Sequence, residues 1–179
     1  MAEIVLYPDK RLLTVCKECE VGDRSLVRLS KEMAIQMYDN YGVGIAAPQI
    51  GDDRRIIVVD CDYDPEDKST RDPLVLVNPE ILETKGEPVE GGEGCLSCPG
   101  IQVPISRPPW VKVRFYDLEG AQWEIEADEL LGRCLQHEID HLNGKTLFES
   151  CSGTNRLIAL ADYEAAKAAG AKPGDTSIN

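Results

Sequence analysis

Apolar positions in the first part of the chain recur with a helical rhythm. In "SLVRLSKEMAIQMYDNYG" they fall at Leu26, Leu29, Met33, Met37 and Tyr41, steps of three and four that share one face of a helix ending at Gly42. The pattern then changes to short β-branched runs. "RRIIVVD" (54–60) and "PLVLVNPEIL" (73–82) are rich in Ile, Val and Leu, which predicts strands. Residues 110–130, "WVKVRFYDLEGAQWEIEADEL", alternate on both sides of Leu-Glu-Gly and predict a hairpin. Asp128 is placed to cap a helix running to Asn143, with Gly144 placed to end it. A last helix is expected over about 155–169, followed by a Gly/Pro/Ser tail, about 170–179, expected to fray. Strands come in blocks between helices, so the predicted class is α+β: antiparallel or mixed sheets packed around the 128–143 helix, with a helix towards each end. No repeat, low-complexity segment or linker interrupts the chain, and 1–179 reads as a single domain.

Charge narrows the function classes. Lys and Arg total 19 against 32 Asp and Glu, a formal charge of −13. That sign repels phosphate backbones and argues against direct nucleic-acid binding. No apolar run is long enough to span a bilayer, and "MAEIVLYPD" has no basic leader followed by an apolar segment, so no membrane association is expected. The seven cysteines, at 16, 19, 61, 95, 98, 134 and 151, are odd in number and read as reduced thiols of a cytoplasmic protein. Two CxxC pairs occur. Cys16/Cys19 lies in a polar segment without partners and is assigned no role; Cys95/Cys98 is not so easily set aside.

Both histidines of the chain stand in "GRCLQHEIDHLNG" (132–144). On a helix, His137 and His141 lie one turn apart on the same face and can direct ring nitrogens at one ion. Glu138 cannot coincide with them but can approach water beside that ion, the H-E-x-x-H arrangement of a general base. A third ligand is required. The acidic residues after His141 (Glu149, Asp162, Glu164, Asp175) sit in no ligand pattern, and no third histidine exists, so a peptidase of the usual HExxH kinds is the weaker reading. "GGEGCLSCPG" (91–100) is the natural source: its glycines permit close backbone approach, and a thiolate suits zinc or ferrous iron. A rival remains open, a closed structural site of Cys95, Cys98, His137 and His141. Against it stand the long gap between the pairs and the idle glutamate.

"GVGIAAPQIG" (42–51) lacks the Lys-Ser/Thr of a phosphate loop. Taken with "EGCLS" (93–97) and "QHEIDH" (136–141), in this order and at these intervals, it closely resembles peptide deformylase. The resemblance runs from Tyr7 to about Phe148. It implies a metal-dependent hydrolase that removes the N-formyl group from the formyl-methionine of newly made polypeptides. It also implies Cys95, His137 and His141 as metal ligands, Glu138 as general acid/base, and the Gln49 amide and Leu96 N–H as donors to the developing oxyanion. Val43, Gly44, Gly94, Leu130 and Cys134 match the substrate site, and Arg107 matches an arginine near the peptide's path. The implied ion is Fe2+, with Zn2+, Ni2+ or Co2+ able to take its place; the implied partners are N-formyl-methionyl peptides and nascent chains.

Three features depart from the family pattern. Arg133 stands where an apolar residue normally lines the methionine pocket, and Gly91 where a branched aliphatic is common. Arg133 is expected to snorkel to solvent, leaving a wider pocket with relaxed methionine preference. Cys98 replaces an apolar residue and reads as a small buried hydrophobe. From Thr154 onward, Arg156, Lys167 and Lys172 balance Asp162, Glu164 and Asp175, so docking on ribosomal RNA through a basic terminal helix is not expected.

Overall fold

The computed structural model describes residues 3–175. Helix α1 (Ser25–Asp39) forms on the predicted stripe: Leu26, Leu29, Met33 and Met37 are buried. Tyr41 does not continue it. It lies past the helix end with φ 56° and is largely exposed.

Strands β1 (Gly44–Ala46), β2 (Ile56–Val59), β3 (Leu74–Lys85), β6 (Trp110–Tyr116) and β7 (Gln122–Asp128) form one sheet in the order β1-β2-β3-β6-β7. Every pairing is antiparallel. Successive side chains of a strand point to opposite faces, and β2 is covered on both. Ile56 and Val58 pack with α1, while Ile57 and Val59 pack with α2 (Glu129–Leu142). That double burial is why "IIVV" carries no polar alternation. The predicted 110–130 hairpin is present as β6–β7, with the chain reversing at Asp117–Gly120.

β3 runs three residues beyond the predicted strand and slips register against β6 after Val77. The slip coincides with Asn78 at φ 50°. Its side-chain amide accepts from the Cys19 N–H (2.8 Å) and donates to the Cys19 carbonyl (3.0 Å), tying the N-terminal segment to the sheet. Cys16 and Cys19 are buried in different core clusters on either side of that sheet.

A second sheet, β4 (Val89–Glu93) and β5 (Val103–Arg107), was not legible in the sequence because Gly91 and Gly92 break the alternation of "VEGGE". It packs through Val103 and Ile105 onto Phe148, Ala159 and Tyr163, contributed by α3 (Leu147–Ser150) and α4 (Gly153–Ala168). Helix α4 starts two residues earlier than predicted, and Ser152 accepts the Asn155 N–H at its start.

Helix α2 lies between the two sheets. Leu135, Ile139 and Leu142 face the large sheet, and complete burial of a leucine contributes roughly 1.5–3 kcal/mol. Asp128 occupies the N-cap position but its carboxylate caps nothing; Glu129 enters the helix at φ 46° instead. Within the segment 170–179, residues 171–175 make backbone hydrogen bonds. The Ala171 N–H bonds the Ala166 carbonyl, and the Asp175 carbonyl accepts from Gly100 N–H at 2.8 Å. Residues 176–179 of the expected tail lie outside the described residues.

Candidate metal centre and substrate cleft

One face of α2 carries Arg133, His137 and His141 at four-residue steps, turned from the large sheet towards the β4–β5 side. Cys95 follows β4 by two residues and meets them there. Its sulfur is 3.3 Å from His141 Nε2, and the ligand atoms of Cys95, His137 and His141 all lie within 4.8 Å of one another. Cys98 is not part of this group: it is fully buried with Ile101, Phe148 and Tyr163. The closed four-ligand site is therefore not formed.

The donor chemistry fits a divalent cation. The neighbouring Cys98 thiol, and then the charge of His141, hold the Cys95 sulfur well below the ordinary thiol range against burial. Burial opposes charge on His137, yet Cys95 and Glu93 raise it well above its usual value. A thiolate and two imidazoles packed this closely share positive charge, which a divalent ion supplies better than a proton. Three protein ligands leave room for a fourth, the open pattern of a catalytic site.

His137 is oriented by a residue that the sequence reading missed. Its Nδ1 is 2.9 Å from Glu93 Oε2, which turns Nε2 towards the cluster. Glu93 is almost fully buried and shared by two arginines, Arg107 through Nε and Nη2 and Arg133 through Nη1. Burial works against its charge, but Arg107 and then His137 pull its pKa down to about 2. Arg107 also donates to Asp140 (2.8 Å), which accepts from the Ser150 hydroxyl. Arg107 is thus a buried support of the histidine and does not border the cleft, contrary to its expected place near the peptide. The one available signal for Glu93 was a carboxylate set among glycines beside a ligand cysteine.

Glu138, the next residue along α2 from His137, faces the cleft. It is buried, its Oε2 has no hydrogen-bond partner, and burial raises its pKa against the opposing imidazoles. Gly44 lets β1 approach it. A Cβ there would lie 2.6 Å from the Cys134 sulfur and 2.7 Å from Glu138 Oε1, contacts that no side chain tolerates. Gln49, on the 3-10 turn after β1 (Ala47–Ile50), is locked in place: its Oε1 accepts the Ala46 N–H, and its Nε2 points at the Cys95 sulfur (3.5 Å) and the Ser97 hydroxyl (3.3 Å).

These residues border a cleft of about 220 Å³. Of the residues expected at the site, Val43, Gly44, Gln49, Gly94, Cys95, Leu96, Leu130, Arg133, Cys134, His137 and Glu138 line it, and His141 lies behind Cys95. Tyr41, Gly174 and Asp175 at its rim were not anticipated. Arg133 does not snorkel. Its guanidinium donates to Glu93, to the Ile105 carbonyl (2.9 Å) and to the Val89 carbonyl (2.8 Å). Nor is the pocket widened at Gly91, since a Cβ there would lie 2.9 Å from the Arg133 Cζ: the guanidinium takes that space.

The polypeptide deformylase family model matches residues 1–156. A peptide deformylase of Hydrogenovibrio crunogenus is 45% identical over 163 residues, 90% of this chain and 92% of its own length. The crystal structure of a Legionella pneumophila peptide deformylase has a TM-score of 0.84 at 40% identity, covering 94% of this chain and 96% of that one. The Synechococcus elongatus enzyme, solved in complex with actinonin, has a TM-score of 0.83 at 36% identity, covering 94% and 88%.

Proposed function

The chain belongs to the polypeptide deformylase family, and from that premise we propose how its own residues act. It is a metal-dependent hydrolase that removes the N-formyl group from nascent polypeptides, with formate as the product. Cys95, His137 and His141 would hold the ion, with Fe2+ as the physiological occupant and Zn2+, Ni2+ or Co2+ as substitutes. A divalent ion held there would supply Lewis acidity for activating water and for polarising a carbonyl.

The protein's part is proton transfer, charge stabilisation and positioning. Glu138, its proton affinity raised by burial, takes the proton of the attacking water and delivers it to the departing amine nitrogen. The Gln49 amide, fixed by its bond to Ala46, and the Leu96 N–H donate to the oxyanion that develops. Loss of one such donor typically costs roughly 100- to 1000-fold in rate. β1 is an edge strand of its sheet, and its backbone at Val43–Gly44 is suited to pair with the substrate main chain. Val43, Leu130 and Cys134, with the His137 ring, take the first side chain; Gly94 gives the peptide close approach. We place the protein in the cytoplasm, acting on nascent chains without a basic helix for ribosome docking. Among the described residues, no helix is long and apolar enough to cross a membrane.

The single observation that carries this reading is a buried, unpartnered Glu138 oxygen beside a three-ligand Cys/His cluster. Formate release from a formyl-Met peptide, assayed without oxygen, tests the reaction. Glu138→Gln should retain about one metal ion per chain while turnover falls roughly 100- to 10,000-fold. Appreciable turnover by that variant rules out the assigned role.

A further inference from the structure

Arg133 places a cation in the wall of the cleft beside its apolar residues. It stands one helical turn before His137, and its neighbours along the cleft are Leu130, Cys134 and Val43. The guanidinium lies face-on over Gly91. A Cβ at Gly91 would meet Cζ and Nη2 at 2.9 Å and Nε at 3.2 Å, so the plane rather than an edge is presented to the strand. Three hydrogen bonds fix it there, two from Nη1 to Glu93 and the Ile105 carbonyl, and one from Nη2 to the Val89 carbonyl. A guanidinium has five N–H donors. Among the described residues, the Nε–H and the second Nη2–H have no acceptor.

We propose that Arg133 is a specificity-determining residue: it offers these spare donors to the end of the substrate's first side chain. The pocket then accepts formylated peptides whose first residue ends in a neutral hydrogen-bond acceptor, such as methionine sulfoxide or glutamine, as well as methionine. Neutral acceptors are favoured over carboxylates for two reasons. The Arg133 charge is already matched by Glu93, and the cleft also holds Glu138 and the Cys95 sulfur. Methionine sulfoxide is the apt probe because oxidation turns an apolar thioether into a strong acceptor at nearly constant length. A site that hydrogen-bonds its substrate penalises an analogue lacking the acceptor, and norleucine is that analogue.

The proposal rests on the deformylase reading, and the experiment separates the two. kcat/KM is measured for formyl-X-Ala peptides with X as methionine, norleucine, methionine sulfoxide or glutamine. The metal-loaded wild type is compared with Arg133→Leu and Gly91→Val; the latter displaces the guanidinium from the opposite strand. In the wild type the sulfoxide peptide should exceed the norleucine peptide by about tenfold, and in both variants this ratio should fall by roughly ten- to a hundredfold. A wild-type ratio of one or less overturns the proposal, and that result needs no variant to fold. So does a ratio that moves less than about threefold in both variants. Turnover of formyl-Met with rejection of the sulfoxide defeats this inference alone, whereas no formate from any of the four peptides defeats the reaction reading and this inference with it.

Discussion

Glu93 receives hydrogen bonds from three side chains and makes the histidine geometry possible. Glu93→Gln removes the charge that both arginines share and loosens the orientation of His137. Metal affinity should drop roughly 10- to 100-fold, read by equilibrium dialysis against a chelator; retention equal to wild type contradicts the supporting role. Its importance was hidden because Arg107 is 14 residues away and His137 is 44. Only the pairing of β4–β5 against α2 brings the three together. The ligands themselves were legible, since an i, i+4 histidine pair needs only one helical turn to converge. The support beneath them needs the tertiary fold. The same distinction explains Arg133, whose place opposite Gly91 depends on a strand that local pattern could not reveal.

Among the elements, those with an apolar face or an apolar run in the core were readable and those shaped by loops were not. α1, β6, β7 and α2 follow their apolar periodicity and β2 shows as an unbroken apolar run, while β1, β4 and α3 are too short or too glycine-rich to carry either. The N-terminal segment is a particular case: its polar letters conceal two buried thiols. Burial pushes both Cys16 and Cys19 up to about 11, from an ordinary value near 9. Between those values the unfolded chain has released protons that the folded chain still holds, so stability is complete below about pH 9 and falls as pH rises through 11. Urea midpoints followed from pH 8 to 11 should decline more steeply for the wild type than for a Cys16→Ala/Cys19→Ala double variant. Parallel slopes contradict the assignment of these thiols to the core.

At the scale of the molecule, three backbone ties draw the first and last described segments to the centre. The Val5 N–H bonds the Gln49 carbonyl, the Tyr7 N–H bonds the Ser97 carbonyl, and the Asp175 carbonyl accepts from Gly100. Gly174 and Asp175 border the cleft directly. A chain ending at Ala169 should keep kcat but show KM raised by about two- to tenfold for formylated tripeptides, because it removes wall that binds substrate and transition state alike. An unchanged KM removes the tail from the cleft wall. The stitching also has a practical bearing on how the protein is handled. A purification handle or fluorescent fusion attached directly after Asp175 would start from the wall of the working groove, where it competes with the ligand. The Asp117–Ala121 bend, on the strand pair at the opposite border of the large sheet, offers an insertion point that leaves all three ties intact.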